Sequence, residues 1–144
     1  MWGILVGIVS GTLMGVQGVF NTALTKQTNI WIAAGFVQAT ALIVCILAWF
    51  ATGGGSSVSD IARVQPRYIL VGGIMGAFIT YTVVIAVSSV GPARAALFIV
   101  IAQLLVSYII ELFGWFGVEK QPLELRKVIG LVVAVVGIIT FKWK

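Results

Sequence analysis

Residues 93–116 read "ARAALFIVIAQLLVSYIIELFGWF", and only Arg94 and Glu111 carry charge in that stretch. A helix needs about 20 mainly apolar residues to cross about 30 Å of hydrocarbon. The segment is therefore a membrane span with a glutamate written into it. An ionised carboxylate is expensive at membrane depth and has to face water, a partner or the interface. The chain has only four acidic residues, and Asp60, Glu119 and Glu124 fall in stretches that read as loops. Glu111 either lies near the headgroups or faces a wet or protein-lined site.

Composition supports the membrane reading. The chain is 60% hydrophobic and 9% charged, with a mean hydropathy of +1.14, well outside the soluble range. It has too few charges to cover the surface of a soluble domain of this size. The net charge of +5 is scattered through short loops, so no basic stripe supports a nucleic-acid role. The single Cys45 lies in an apolar run, and the chain has no histidine. An internal disulfide, a thiolate metal site and a histidine proton shuttle are excluded, and no cofactor is implied. No nucleophile–base pair is visible among Ser10, Ser107 and Cys45, so an enzyme is not expected.

Four further segments qualify as spans. The full set is about Trp2–Leu24, Trp31–Ala51, Tyr68–Ser89, Ala93–Phe116 and Arg126–Phe141, forming a single transmembrane domain over 1–144. The first lacks a basic n-region and an A-x-A site, so it reads as a retained span rather than a signal peptide. "TGGGSSVSDIARVQPR" (52–67) is the one connection with room to be flexible. Pro92 suits the first turn of span four, and Pro122 breaks the chain before span five.

Five spans would put the termini on opposite faces. One face then carries Arg63, Arg67, Lys120, Arg126 and Lys127, and the other carries Lys26, Arg94, Lys142 and Lys144, together the nine basic residues of the chain. A bias of one charge barely sets orientation. Two readings stay open: a fixed orientation with the N-terminus inside, or dual topology with both orientations pairing as an antiparallel dimer.

Glycine recurs every fourth residue in span one, at Gly3, Gly7, Gly11 and Gly15. Span three has Gly72 and Gly76, and span five has Gly130 and Gly137. Lipid gives helices little reason to associate, so small-xxx-small seams that allow close backbone approach are read as helix-packing faces. The same smooth faces would also let helices slide past one another.

Polar residues at membrane depth form two stripes. Ser10, Gln17 and Asn21 share a face of span one, from the 100° step per residue. Gln103, Ser107 and Glu111 share a face of span four at i, i+4, i+8. Gln38 adds to span two, and Tyr81 and Thr82 to span three. Gln103, near the middle of its span, suits a substrate contact because an amide both donates and accepts hydrogen bonds. From the centre of a helix ending at Phe116, Glu111 lies about 9 Å along the axis at 1.5 Å per residue, inside a hydrocarbon half-thickness of about 15 Å. It could snorkel to the interface or pair with a loop cation such as Lys120 or Arg126. Alternatively it is a protonatable or cation-binding group in a cavity, where desolvation favours the protonated carboxyl. Arg94 reads as a boundary anchor. Trp2, Trp31, Trp49, Trp115 and Trp143 stand at span ends, as interfacial belts require.

Four stretches together resemble a known family: "GVQGVFNTAL" (15–24), "GGIMGAF" (72–78), "AQLLVSYIIELFGWFG" (102–117) and "IGLVVAVVGII" (129–139). Their order is similar to the short, five-span YdcZ-like branch of the drug/metabolite transporter superfamily. That branch carries Gly-Gln, a carboxylate eight residues on, then an aromatic and glycine. Gln103, Glu111 and Gly114 match, with Glu where Asp is more usual, and Ala102 stands where glycine is expected. Gln17 and Asn21 also match. The resemblance implies an all-α integral membrane protein, five transmembrane helices forming one half of an inverted-repeat transporter, completed by dimerisation.

The reading is a secondary active transporter of a small organic metabolite or cation, working by alternating access with proton coupling as a dual-topology homodimer. Gln17, Asn21, Tyr81, Gln103 and Ser107 would line the path, and Glu111 would couple or bind charge. Its surroundings would be a bacterial cytoplasmic membrane, which it crosses several times. A heterodimer with a five-span paralogue, a channel-like pore in the same dimer and a non-transporting membrane subunit are the rivals.

Overall fold

The computed structural model describes residues 1–55 and 57–142, with the backbone alone at Lys142; Trp143 and Lys144 lie outside the described residues. Five α-helices follow in order: α1 (Trp2–Gln27), α2 (Ile30–Ala51), α3 (Gly72–Val90), α4 (Pro92–Phe113) and α5 (Leu125–Lys142). No strand occurs among the described residues. α1, α2, α4 and the stretch Arg67–Val90 that contains α3 are long and apolar enough to cross a membrane.

α5 differs in charge. Arg126, Lys127 and Lys142 fall within it, and the uncharged run from Val128 to Phe141 covers about 21 Å at 1.5 Å per residue. To cross the membrane, α5 would have to let its terminal cations snorkel to the headgroups.

Helix boundaries follow local chemistry. The Asn29 side chain accepts from the Trp31 amide at 2.8 Å and starts α2, an N-cap that satisfies one of the orphan donors of a first turn. Pro92 occupies the first turn of α4 after Gly91, whose φ is 86°. Span three matches the stretch Arg67–Val90, in which Arg67–Val71 forms a short 3-10 segment before the α-helix begins at Gly72.

Span four is corrected at its end. α4 stops at Phe113, because Gly114 takes the left-handed conformation (φ 67°, ψ 35°) and its N–H bonds to the Ile110 carbonyl. Trp115 and Phe116 belong to a separate 3-10 turn, with Phe116 at φ 58°. Hydropathy continues through these aromatic residues, whereas the backbone turns at the glycine.

The long second connection carries local structure after its Gly/Ser start. Ser57 caps a 3-10 segment over Val58–Arg63, and the Ser57 amide donates to the Asp60 carboxylate at 3.0 Å. Asp60 lies 3.7 Å from Arg63. The capping-box pairing gives this exposed turn local hydrogen bonds that the glycines alone could not supply.

The chain divides into two compact units, Met1–Ser89 and Val90–Lys144. The core of the first is built from small residues: Gly18, Ala33, Ala34, Val84 and Val87 are buried, with Asn21 and Thr22. A Cβ at Gly18 would touch Val83 at 3.4 Å and Val87 at 3.7 Å, and one at Gly76 would meet the Gln38 amide nitrogen at 3.0 Å. These two glycines therefore serve close helix approach. Among the described residues, and apart from the glycine's own helix turn, nothing lies within 4 Å of a Cβ at Gly3, Gly7, Gly11, Gly15, Gly72, Gly130 or Gly137.

Candidate functional site

The second unit holds a groove of about 370 Å³ between α4 and α5, lined by Leu104, Ser107, Tyr108, Glu111, Lys127, Gly130 and Leu131. Its size falls within the range of small-molecule sites, roughly 300–1,000 Å³. The α4 wall is 104, 107, 108 and 111, one face at i, i+3, i+4, i+7. The α5 wall is 127, 130 and 131 in the same spacing. Gly130 has no side chain to project into the gap, which helps to keep it open.

Three charged groups meet at one end. The Lys127 ammonium lies 3.7 Å from a Glu111 carboxylate oxygen and 3.6 Å from one of Glu124. Both distances exceed the 2.7–2.9 Å of a close charge-assisted hydrogen bond, so the ammonium sits loosely between the two carboxylates. The Lys127 and Glu111 side chains are 39% and 42% exposed on the chain's own surface. The cation beside Glu111 is Lys127, which corrects the expectation of Lys120 or Arg126.

Backbone bonds tie this hairpin together. The Gln121 amide donates to the Glu111 carbonyl at 2.9 Å. The Glu124 amide donates to the Tyr108 hydroxyl at 3.3 Å. The Glu124 carbonyl accepts from Lys127 and Val128 amides at 3.0 and 3.2 Å, which places Glu124 at the start of α5. A carboxylate there is favoured by the partial positive charge of a helix N-terminus.

With α4 ending at Phe113, Glu111 is farther from the helix midpoint than the longer span implied, about 13 Å at 1.5 Å per residue. With α4 centred on the midplane and a half-thickness of about 15 Å, that depth would put the carboxylate close to the headgroup boundary. Gln103 falls within a residue of the midpoint. It is exposed and absent from the groove lining, because it is turned about 90° from the groove face at 100° per residue. Ser107 and Glu111 are brought together, and Gln103 is set to one side.

In the first unit, Asn21 is 7% exposed, whereas Gln17 on the same helix is exposed. Thr22, also buried, donates its hydroxyl to the Gly18 carbonyl at 2.8 Å, and Thr25, one turn on from Asn21 and on its face, has a buried hydroxyl with no hydrogen-bond partner among the described residues. Tyr81 stacks on Trp31, with ring centroids 4.7 Å apart and planes 18° from parallel. Trp31 therefore packs on an α3 side chain besides standing at a helix end.

Sequence reasoning missed Tyr108, Lys127 and Glu124 as site residues. Tyr108 and Glu111 are three apart on α4, and Glu124 and Lys127 three apart at the start of α5, which is the available signal. Among the described residues no group of acidic, histidine or cysteine side chains is arranged to hold a metal ion.

Comparison with known families matches residues 2–140 to the family described as "Putative inner membrane exporter, YdcZ". No curated protein and no solved structure is detectably similar. The match covers the groove helices, the glycine seam of α1 and every apolar helix. The chain belongs to the YdcZ inner membrane exporter family, within the drug/metabolite transporters, and is a multi-pass protein of the cell membrane.

Proposed function

We propose that the chain is one half of a secondary active exporter that moves a small organic metabolite or cation by alternating access, with Glu111 coupling transport to protons. The observation that carries this reading is the α4–α5 groove, which joins apolar walls to the Glu111 carboxylate. An apolar pocket with a few convergent polar groups is the usual form of a small-molecule site. A carboxylate that exchanges a proton for substrate charge gives the coupling a chemical basis.

The second half is a copy in the opposite orientation. With α5 taken as a fifth span, the odd span number and a basic-residue count of five against four support an antiparallel homodimer, because a near-zero bias lets both orientations insert. Crossed halves of this kind are the general plan of inverted-repeat transporters, with substrate bound at the repeat interface. Gln17, Asn21, Tyr81, Gln103 and Ser107 line the path in this reading. The exposed amides at 17 and 103 are free to meet substrate or the second copy.

The test is gradient-driven flux with purified protein in liposomes. Saturable flux that exchanges against countersubstrate and disappears in Glu111→Gln is the expected result. Flux unaffected by that substitution removes the coupling role. A throughput far above roughly 10³ per second identifies a pore, because it outpaces μs–ms conformational cycling.

A further inference from the structure

Lys127 stands between two carboxylates beside the α4–α5 groove. Its Nζ lies 3.7 Å from Glu111 and 3.6 Å from Glu124, at one end of a groove walled by Leu104, Leu131 and the Tyr108 ring. The three side chains are 39%, 42% and 48% exposed, so none is locked by burial. The two carboxylates and one ammonium of this cluster sum to a formal charge of −1. An anion entering here would meet one cation and two carboxylates within 4 Å of it. An organic cation would meet two carboxylates and one ammonium held on a flexible four-carbon stem.

We propose that this groove binds an organic monocation of the ammonium class, and that Lys127 is a tethered competitor for the same position. The ligand's apolar body lies along Leu104, Tyr108, Gly130 and Leu131. Its cationic head takes the Glu111 carboxylate as Lys127 swings away. Glu124 is what makes the exchange tolerable, since Lys127 keeps one carboxylate when it releases the other. Tyr108 holds Glu124 in place through the 3.3 Å hydrogen bond to its amide. Release follows when Lys127 returns to Glu111. This inference rests on the reading of the groove as a substrate site, and it names the substrate's charge and the residue that opposes it.

The experiment is equilibrium binding of phenethylammonium to the full-length protein in lipid nanodiscs, at one pH and low salt, with phenylacetate as the anionic counterpart of similar shape. The wild type should prefer phenethylammonium. Lys127→Met should bind it about tenfold more tightly, Lys127→Arg should stay near the wild type, and Glu111→Gln combined with Lys127→Met should lose the gain. Unchanged or weaker binding in Lys127→Met overturns the proposal, as does a preference of the wild type for phenylacetate or no binding by either protein. The wild-type comparison of the two ligands decides the matter even if Lys127→Met does not fold. Binding needs no gradient, so a failure here is distinct from a failure of transport. Intact Glu111-dependent flux without tightening in Lys127→Met rejects the competitor alone.

Discussion

At the scale of single residues, Glu111 and Lys127 show how little a half-exposed ion pair contributes to stability. Pairs of this kind are worth about 0–1 kcal/mol, and the 3.7 Å separation is long. Glu111→Gln should therefore shift the thermal midpoint in detergent by only a few degrees while abolishing gradient-driven flux. Loss of folded protein in that variant would instead make Glu111 a structural residue. Gly114 behaves in the opposite way. It has φ 67°, and an added Cβ would meet Lys120 Cβ at 3.2 Å and the Val118 carbonyl oxygen at 3.3 Å. Left-handed backbone costs about 1–2 kcal/mol in a residue with a side chain. Gly114→Ala should lower stability by that amount or more, read as earlier thermal unfolding, with no direct effect on ligand contacts. The two residues also differ in legibility. Glu111 is obvious as a charge in an apolar run, whereas its partner depends on which turn of α5 faces α4.

At the scale of helices, apolar runs of span length located all five, and composition marked the chain as a membrane protein. What the runs could not show is where a backbone turns while hydropathy continues. Trp115 and Phe116 are as apolar as a span requires, yet Gly114 ends α4 before them. Tyr108 has no role in the sequence reading, and only the contact of its hydroxyl with the backbone of Glu124 reveals one. The stacking of Trp31 on Tyr81 joins residues too far apart in sequence for any periodicity to pair them. Gly130 offers the clearest test at this scale. Nothing lies within 4 Å of a Cβ there, so Gly130→Ala should fold normally and gain up to about 1 kcal/mol of helix propensity. Gly130→Leu should also insert and fold, but it would fill the groove and reduce flux several-fold. Equal flux in the two variants would move the substrate site elsewhere.

At the scale of the whole molecule, the main question is what meets the surfaces that the chain leaves open. Gly3, Gly7, Gly11 and Gly15 form a seam along α1 where an added Cβ would meet no other part of the described residues within 4 Å, while Gly18 and Gly76 on α1 and α3 pack closely. In the dimer reading, that seam lies against the second copy, where van der Waals contact between close backbones supplies the association. Gly7→Leu with Gly11→Leu should then shift the purified protein from dimer toward monomer without unfolding it, as followed by dilution in mixed micelles. An unchanged dimer would assign the seam to lipid or to motion within the chain.

The most direct test of an exporter assembled from opposed halves is its topology in cells. Cys45 is the only native cysteine. With it replaced, single cysteines in the 53–57 loop and at the C-terminus can be labelled from outside by an impermeant reagent. Partial labelling at both sites, completed at each on permeabilisation, is the predicted result and means that two orientations coexist. Complete labelling at one site and none at the other would contradict the homodimer of opposed copies and leave a single orientation in need of a different partner.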